Sequence, residues 1–480
     1  MRRSDGSSRV SGVRVIGESE VGPRRAVALG VEDGRYHAHV VGATGSGKST
    51  LLANLALADM AGGRGVVVID PKGDLVDDLL ARLPEQALGR LVLIDPKETE
   101  APPALNVLGG EPAEVAVDHV VSVFGRIFAA WWGPRTDDVL RSACATLRRL
   151  PGATLADIPV LLTDRRFRAP LVATLPERSE LKGFWDGYDV MTPAGQAQAI
   201  GPIMNKLRAV LARRFARDLF GSAASSFNMK AVLSGGVLLA RLPKGILGED
   251  TARLVGALLV ASVWQAATAR ADDLARPDAT LYVDECQNFL ALPTAVDDVL
   301  AEARGYHLAV VLAHQHLGQL PKDLFEAASA NARNKVYFSV SPEDARVVAR
   351  HTEPYLKAYD LSHLDAYQVA CRLVVGGRDL HAFTLRTRPM PPAVPGRAAE
   401  ARVHARKNAG RSQADRRHDL LVRRRRHRTK TDGSPGGVSS GVSPGVSDGV
   451  LETPTPPREN RQRKALPTPA SEDPDSWSNP

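Results

Sequence analysis

The sequence contains few cysteines and few aromatic residues, and each scarcity excludes a class of protein. Only three cysteines occur in 480 residues, and Cys144, Cys286 and Cys371 lie far apart without a CxxC pair. This spacing excludes a disulfide framework and a structural zinc site. Aromatic residues make up 5% of the chain, which argues against a surface that binds single strands mainly by stacking bases.

The sequence also lacks a long apolar run of the kind that spans a membrane. The most apolar stretch lies between Arg253 and Arg270, and Ser262, Gln265 and Thr268 interrupt it. It is shorter than the roughly 20 apolar residues that a spanning helix needs. The basic N-terminal residues are not followed by an apolar segment, so no signal peptide is predicted. We expect a cytoplasmic protein that reaches the inner face of a membrane only through a partner.

Positive charge is unevenly distributed along the chain. The 62 Lys and Arg residues exceed the 54 Asp and Glu residues by a net charge of +8, and about +7 of this excess falls in residues 391–480. Residues 401–430 alone sum to about +10. Such a segment is expected to bind DNA phosphates or anionic lipid, or to remain solvated without a dedicated partner.

The apolar segments predict an α/β fold. The unbroken apolar runs at 65–70 and 90–95 both end in aspartate, which is typical of strands buried on both faces of a parallel sheet. Helical periodicity replaces the strand pattern from roughly 111 to 232. The strand pattern then resumes at 236–240, 281–284, 308–312 and 335–339. A mainly parallel α/β core interrupted by an all-α domain accounts for this order.

The length and composition predict two folded units and a tail, because single cores usually stop growing near 250 to 300 residues. We expect a flexible N-terminus at 1–20, a first part of the core at 21–110 and an all-α domain at 111–232. The second part of the core follows at 233–390. Residues 391–480, rich in Pro, Gly, Ser and Arg, are predicted to be a disordered basic tail.

Residues 42–49 contain a glycine-rich phosphate-binding motif. Their sequence, GATGSGKS, fits GxxxxGK[ST] and lies between a predicted strand and a predicted helix, as this motif requires. Its backbone N–H groups converge on phosphates, its lysine reaches the β- and γ-phosphates, and its last serine can ligate Mg²⁺. The alternative, a flexible turn, fits this context poorly. The predicted nucleotide contacts are Gly42, Thr44, Gly45, Ser46, Gly47, Lys48, Ser49 and Thr50.

A second motif is the apolar strand 281–283 followed by two carboxylates, Asp284 and Glu285. This is the Walker B pattern, in which the aspartate holds Mg²⁺ and the glutamate orients or polarises the attacking water. Ser49 and Asp284 are therefore the predicted Mg²⁺ ligands. Without the phosphate-binding loop, a strand capped by solvated acids would explain the pattern equally well. Glu285 favours hydrolysis, because a nucleotide switch needs only the aspartate.

Two polar residues flank the strand predicted at 308–312. Gln315 follows the strand and can contact the γ-phosphate. Arg304 precedes it and can reach the nucleotide of a neighbouring subunit as an arginine finger. By spacing alone, a solvated arginine and a capping glutamine fit equally well.

Six segments together resemble one known family. They are HVVGATGSGKST at 39–50, IDPKGD at 69–74, WGPR at 132–135, VDECQNF at 283–289, AHQ at 313–315 and NARNK at 331–335. In this order they are similar to the type IV secretion coupling proteins of bacterial conjugation, the TraG/TraD-like branch of the HerA/FtsK ATPase superfamily. The resemblance covers about residues 25–390.

This resemblance implies a RecA-like P-loop NTPase core and a ring-forming, usually hexameric, ATPase that pumps DNA. The implied cofactors are ATP and Mg²⁺, and the implied partners are DNA, relaxase or relaxosome proteins, and type IV secretion membrane components. Typical members begin with transmembrane helices, which this sequence is not predicted to contain. The implied roles are the Walker functions for Lys48, Ser49, Asp284 and Glu285, the arginine finger for Arg304 and the γ-phosphate sensor for Gln315.

Two other functions fit parts of the sequence. One is a HerA/FtsK-like motor that moves DNA without a secretion partner. The other is a nucleotide-gated recruitment platform that hydrolyses ATP slowly or not at all. Glu285 and Arg304 argue against the platform, because a platform needs neither residue.

Overall fold

The computed structural model describes residues 13–20, 23–110, 112–273, 275–290 and 296–428. Segments 1–12 and 429–480, which include most of the predicted flexible N-terminus and part of the predicted tail, lie outside the described residues. The strands within the described residues are β1 Val13–Ser19, β2 Ala26–Gly30, β3 Ala38–Val41, β4 Gly65–Asp70, β5 Leu91–Ile94, β6 Val237–Arg241, β7 Ala279–Val283, β8 Leu308–His314, β9 Asn334–Tyr337, β10 Gln368–Arg372, β11 Val374–Val375, β12 Arg378–Asp379 and β13 Phe383–Thr387.

The helices of the described residues connect these strands and cover the sheet. They are α1 Val31–Gly34, α2 Lys48–Ala61, α3 Asp74–Arg82, α4 Glu85–Leu88, α5 Ala113–Ile127, α6 Pro134–Arg148, α7 Ile158–Thr163, α8 Arg165–Val172, α9 Glu180–Asp189, α10 Pro193–Leu211, α11 Arg214–Phe220, α12 Met229–Leu233, α13 Lys244–Leu247, α14 Glu249–Thr268, α15 Val296–Ala303, α16 Lys322–Asn331, α17 Pro342–Val348, α18 Ala358–Ser362, α19 Arg397–Ala409 and α20 Gln413–Arg428.

Eleven of the described strands form one sheet in the order β2-β1-β13-β10-β9-β3-β8-β7-β4-β6-β5. The strands from β9 to β5 are parallel. The strands β10, β13, β1 and β2 extend one side of the sheet by antiparallel pairing. The prediction of a mainly parallel α/β core is therefore confirmed.

The sheet order brings the predicted motifs to one place. Because parallel strands end at the same side of a sheet, β3, β7 and β8 all deliver their next residues there. Strand β8 lies between β3 and β7. The residue after β8 therefore lies between the phosphate-binding loop after β3 and the carboxylates after β7.

The helical insertion packs on the sheet through a shared core. Phe124 of α5 and Leu258 of α14 belong to the same buried apolar cluster as Ile69 of β4 and Leu281 of β7. A second buried cluster covers the other face of the sheet. The described residues consequently fall within one compact unit, and the prediction of two separate folded units was wrong. Between β5 and β6 the regular elements are helices, from α5 to α12.

Both predicted flexible ends contain ordered elements. Residues 13–19 form strand β1, which pairs with β2 and β13, so the predicted flexible segment 1–20 ends in a strand. Residues 397–428 form α19 and α20, which corrects the prediction of disorder from residue 391. Composition suggested disorder because the segment has few large apolar side chains.

Small residues and ion pairs hold α19 in place. Ala401, Ala405 and Ala409 recur every four residues and are buried, which is the spacing of an apolar helix face. The guanidinium group of Arg402 lies 2.8 Å from the carboxylate of Asp95. A count of large apolar residues along the sequence detects neither the buried alanines nor the ion pair.

Among the described residues, no helix is both long enough and apolar enough to cross a bilayer.

Candidate active site

The phosphate-binding loop joins the end of β3 to the start of α2. Gly45 and Gly47 have φ values of 78° and 114°. Residues other than glycine rarely adopt this left-handed backbone conformation. The amine of buried Lys48 donates to the carbonyl oxygens of Gly42, at 2.5 Å, and Ala43, at 3.1 Å. Burial lowers the pKa of Lys48.

The loop has the features of an anion site. The N-terminus of the 14-residue helix α2 follows it, and the N–H groups of a first helical turn have no intrahelical acceptor. Among the described residues, the hydroxyl of Ser46 is buried without a hydrogen-bond partner. An unpartnered buried hydroxyl beside convergent N–H groups fits a bound phosphate.

Asp284 follows β7 and is nearly fully buried. Burial, together with the neighbouring carboxylates of Asp70 and Glu285, raises its pKa to about 6. A buried carboxylate with carboxylate neighbours is stabilised by a cation, so the residues present fit Mg²⁺. Ser49 and Asp284 are the residues that would hold it.

The side chain of Glu285 is held by three donors. The amine of Lys72 lies 2.9 Å from Oε1, the amide of Gln287 donates to Oε2 at 3.1 Å, and the amide of Gln315 donates to Oε1. Burial alone would raise the pKa of Glu285, but these hydrogen bonds bring it below its ordinary value. Glu285 is therefore an ionised carboxylate at neutral pH, in a fixed orientation.

Gln315 connects the two motifs. Its side-chain oxygen accepts a hydrogen bond from the hydroxyl of Thr44 at 2.8 Å, while its amide nitrogen donates to Glu285. Thr44, Gln315 and Glu285 thus form one hydrogen-bonded chain from the loop to the carboxylate. Gln315 therefore lies between the phosphate-binding loop and Glu285.

Lys72 also lies in the site, where it pairs with Glu285. The carboxylate of Asp70 accepts hydrogen bonds from the N–H groups of Lys72 and Gly73, both at 2.8 Å, and of Val76 at 3.1 Å. These bonds fix the turn after β4, which is adjacent to β7 in the sheet. The available signal was the DPKGD segment after a strand, but only the strand order places it beside Glu285.

A buried ionic cluster fixes α2 relative to β7. Asp59 of α2 is fully buried and pairs with Arg14 at 2.6 Å and Arg64 at 2.7 Å. Its other oxygen accepts a hydrogen bond from the hydroxyl of Tyr282 at 2.7 Å, two residues before Asp284. The phosphate-binding helix and the Walker B strand are thereby joined through side chains that no sequence motif indicated.

Arg304 lies away from the other predicted site residues. It precedes β8, whose seven residues span roughly 20 Å, whereas Gln315 follows that strand. Its guanidinium carbon lies 4.1 Å from the ring centroid of Tyr36, in an open cleft of about 940 Å³. Within the described residues it has no hydrogen-bond acceptor or ion-pair partner. Arg304 therefore does not serve the nucleotide site of its own chain.

Comparisons with known proteins identify the fold. The unbound form of the bacterial conjugative coupling protein TrwBdeltaN70 aligns with a TM-score of 0.58 and 17% identity, over 76% of this chain and 88% of that chain. This chain has the fold of a conjugative coupling protein. The complex of the plasmid coupling protein TrwB with ADP and Mg²⁺ aligns with a TM-score of 0.57 and 17% identity, over 78% and 89% of the two chains.

A second protein of known structure has the same architecture. VirB4 of Thermoanaerobacter pseudethanolicus aligns with a TM-score of 0.56 and 14% identity, over 82% of this chain and 99% of that chain. No protein-family model and no curated protein match the sequence.

Proposed function

We propose that the protein is an ATP-hydrolysing DNA translocase of the conjugative coupling type. In this proposal it moves DNA, or a relaxase–DNA complex, toward a secretion channel. The observation that carries the proposal is the position of Glu285. Its ionised carboxylate is held by Lys72 and Gln315, and Gln315 connects it to the phosphate-binding loop. The coupling-protein fold, seen in TrwB with ADP and Mg²⁺, supports the choice of substrate.

In this proposal, each residue of the site has a separate role in ATP hydrolysis. Lys48 and the N–H groups of the loop bind the phosphates, and Ser49 and Asp284 hold Mg²⁺, which when bound offsets phosphate charge. Glu285 orients the attacking water and accepts its proton. Gln315 contacts the terminal phosphate, so loss of that phosphate alters its bonds to Thr44 and Glu285.

Completion of the site requires a second copy of the chain. Arg304 has no acceptor within the described residues and lies at the other end of β8 from Gln315. In a head-to-tail ring, the arginine of one subunit can reach the nucleotide of the next. We propose a homohexamer, in keeping with the resemblance to ring-forming coupling proteins.

The proposed partners are those that the resemblance to coupling proteins implies. They are DNA, relaxase or relaxosome proteins, and membrane components of a type IV secretion system. The proposed location is the cytoplasm, with recruitment to the inner face of the membrane through such a partner.

Steady-state ATP hydrolysis, measured with and without single- and double-stranded DNA, tests this proposal. We expect DNA to stimulate turnover by the wild-type protein. Glu285→Gln should bind ATP normally and lose turnover by a factor of about 100 or more. Lys48→Ala should lose both binding and turnover. Tight ATP binding without DNA-stimulated turnover would favour the recruitment platform, and normal turnover in either variant would contradict the site assignment.

A further inference from the structure

The aromatic ring of Tyr367 lies against the phosphate-binding loop. The backbone N–H of Tyr367 donates to the carbonyl oxygen of Ser46 at 3.0 Å. A methyl group added to Gly47 would come within 2.8 Å of Cδ1 of the Tyr367 ring. Tyr367 directly precedes β10, far in sequence from the loop that it contacts. The coupling-protein fold thus places an aromatic ring beside the glycine that precedes Lys48.

The backbone of Tyr367 is strained. Its φ value is 63°, a left-handed conformation that bulky residues rarely adopt. The bond to Ser46 holds this conformation, and the Tyr367 carbonyl oxygen also accepts bonds from the N–H of Thr387 at 2.8 Å and its hydroxyl at 3.1 Å. Strain of this kind persists where surrounding contacts enforce it, and it is concentrated at ligand sites.

The strained residue presents an available ring surface. The side chain is 45% exposed. Within the described part of the chain, its hydroxyl forms no hydrogen bond and its ring stacks on no other aromatic ring. Because the ring is exposed, the strained backbone conformation of Tyr367 does not serve to pack the ring into the core.

The side of the loop on which Tyr367 lies indicates what the ring binds. The sheet order is β10-β9-β3-β8-β7, so Tyr367 lies on the β10 side of the loop and Glu285 on the β7 side. A triphosphate with its terminal phosphate near Gln315 and Glu285 extends along the loop, away from β7. Its nucleoside therefore emerges on the side of Tyr367.

We propose that Tyr367 forms the nucleobase subsite, with its ring stacked on the purine of bound ATP. This inference rests on the proposed function, because it requires a nucleoside triphosphate in the loop. The aromatic ring provides the contact, and the hydroxyl is dispensable.

Binding of ATP and of inorganic tripolyphosphate, each with Mg²⁺, tests the proposal in Tyr367→Asn and Tyr367→Phe. Asparagine tolerates the left-handed conformation, so Tyr367→Asn should keep or raise the melting temperature. It should weaken ATP binding about tenfold, as expected for one lost stacking contact. It should change tripolyphosphate binding less than twofold, because that probe has no base. Tyr367→Phe should bind both as the wild type does.

Two results would overturn the proposal. Unchanged ATP affinity in Tyr367→Asn would show that the ring does not contact the base. Equal weakening of ATP and tripolyphosphate would assign Tyr367 to support of the loop instead. Failure of the proposed function has a different signature, since Lys48→Ala would then bind both ligands as the wild type does.

Discussion

At the residue scale, the ion pair between Lys72 and Glu285 affects the pKa of the carboxylate that we propose as the catalytic base. The amine nitrogen of Lys72 lies 2.9 Å from Oε1 of Glu285. The lysine side chain is about half exposed, and the glutamate side chain is almost fully buried. Burial opposes ionisation of Glu285, and the donors from Lys72, Gln315 and Gln287 outweigh it, so the pKa of Glu285 is lowered. The pair also raises the pKa of Lys72 against the effect of burial.

Lys72→Met should move the acidic limb of the ATP turnover profile to higher pH. Removing the amine removes a contribution that lowers the pKa of Glu285, and turnover falls as pH drops through that pKa. ATP affinity should change little, because Lys72 pairs with Glu285 rather than with the loop. The measurement is kcat against pH, with ATP binding measured in parallel.

Lys72→Arg provides the matched control, because it keeps a cation at this position. It should restore most of the wild-type profile. Identical profiles of kcat against pH for Lys72→Met and the wild type would show that the ion pair does not affect the pKa of Glu285.

The site residues differ in how far sequence alone reveals them. Lys48 and Asp284 belong to contiguous motifs whose local geometry is nearly fixed by spacing. Lys72 belongs to the IDPKGD segment, which by itself implies no contact with Glu285, and Tyr367 belongs to none of the quoted segments. They reach the site through the strand order, Lys72 because β4 is adjacent to β7 and Tyr367 because the chain enters β10 beside the loop.

At the element scale, several arginines of α19 and α20 form ion pairs within the chain. Arg402 pairs with buried Asp95, Arg406 with Glu98, and Arg416 with Asp218. Arg423 lies 3.2 Å from Asp157 of the helical insertion. Much of the positive charge that suggested a DNA-binding tail is thus used within the chain.

The cluster Arg424, Arg425 and Arg426 provides the test of DNA binding by this segment. Changing all three to glutamine should weaken DNA binding, and should reduce the slope of log K against log salt by about 2 to 3 if each contacts a phosphate. The melting temperature should stay close to that of the wild type. An unchanged slope of log K against log salt would show that these arginines do not contact DNA phosphates.

Arg402→Gln is the matched control for this experiment. It leaves buried Asp95 without its 2.8 Å partner, so it should reduce the free energy of unfolding by about 1–3 kcal/mol. The salt dependence of DNA binding should not change. Opposite patterns in the two variants would separate a structural arginine from one that contacts DNA.

Strands and helices whose sequences have a strong apolar pattern could be predicted from the sequence. Elements with a weak apolar pattern could not. The wholly buried β4 and β6 carry unbroken apolar runs, which parallel strands require. Helix α19 buries only alanines, so its sequence resembles that of a disordered segment. The shared core of the insertion and the sheet was also unpredictable, because apolar periodicity gives the buried face of a helix but not its partner.

At the scale of the whole molecule, the predicted site residues lie at both ends of the parallel strands. Lys48, Asp284, Glu285 and Gln315 gather at the carboxyl ends, and Arg304 lies at the amino end of β8. A ring in which one end faces the other would complete a site at every interface. An isolated subunit should therefore bind ATP but hydrolyse it slowly.

Mixed assemblies test this arrangement. Arg304→Ala should bind ATP normally and lose turnover about a thousandfold, the usual scale for an arginine finger. Mixing it in equal amounts with inactive Lys48→Ala should recover up to about a quarter of wild-type turnover, because some sites then combine an intact loop with an intact neighbouring arginine. Absence of any recovery would contradict a role of Arg304 between subunits.

Displacement of streptavidin from biotinylated DNA ends is the most direct measurement of whether ATP hydrolysis moves DNA. Single-stranded and duplex DNA should each be tried, with biotin at either end. We expect ATP-dependent displacement from one end of at least one form, abolished in Glu285→Gln. DNA-stimulated hydrolysis without displacement from any end would contradict the proposed translocation.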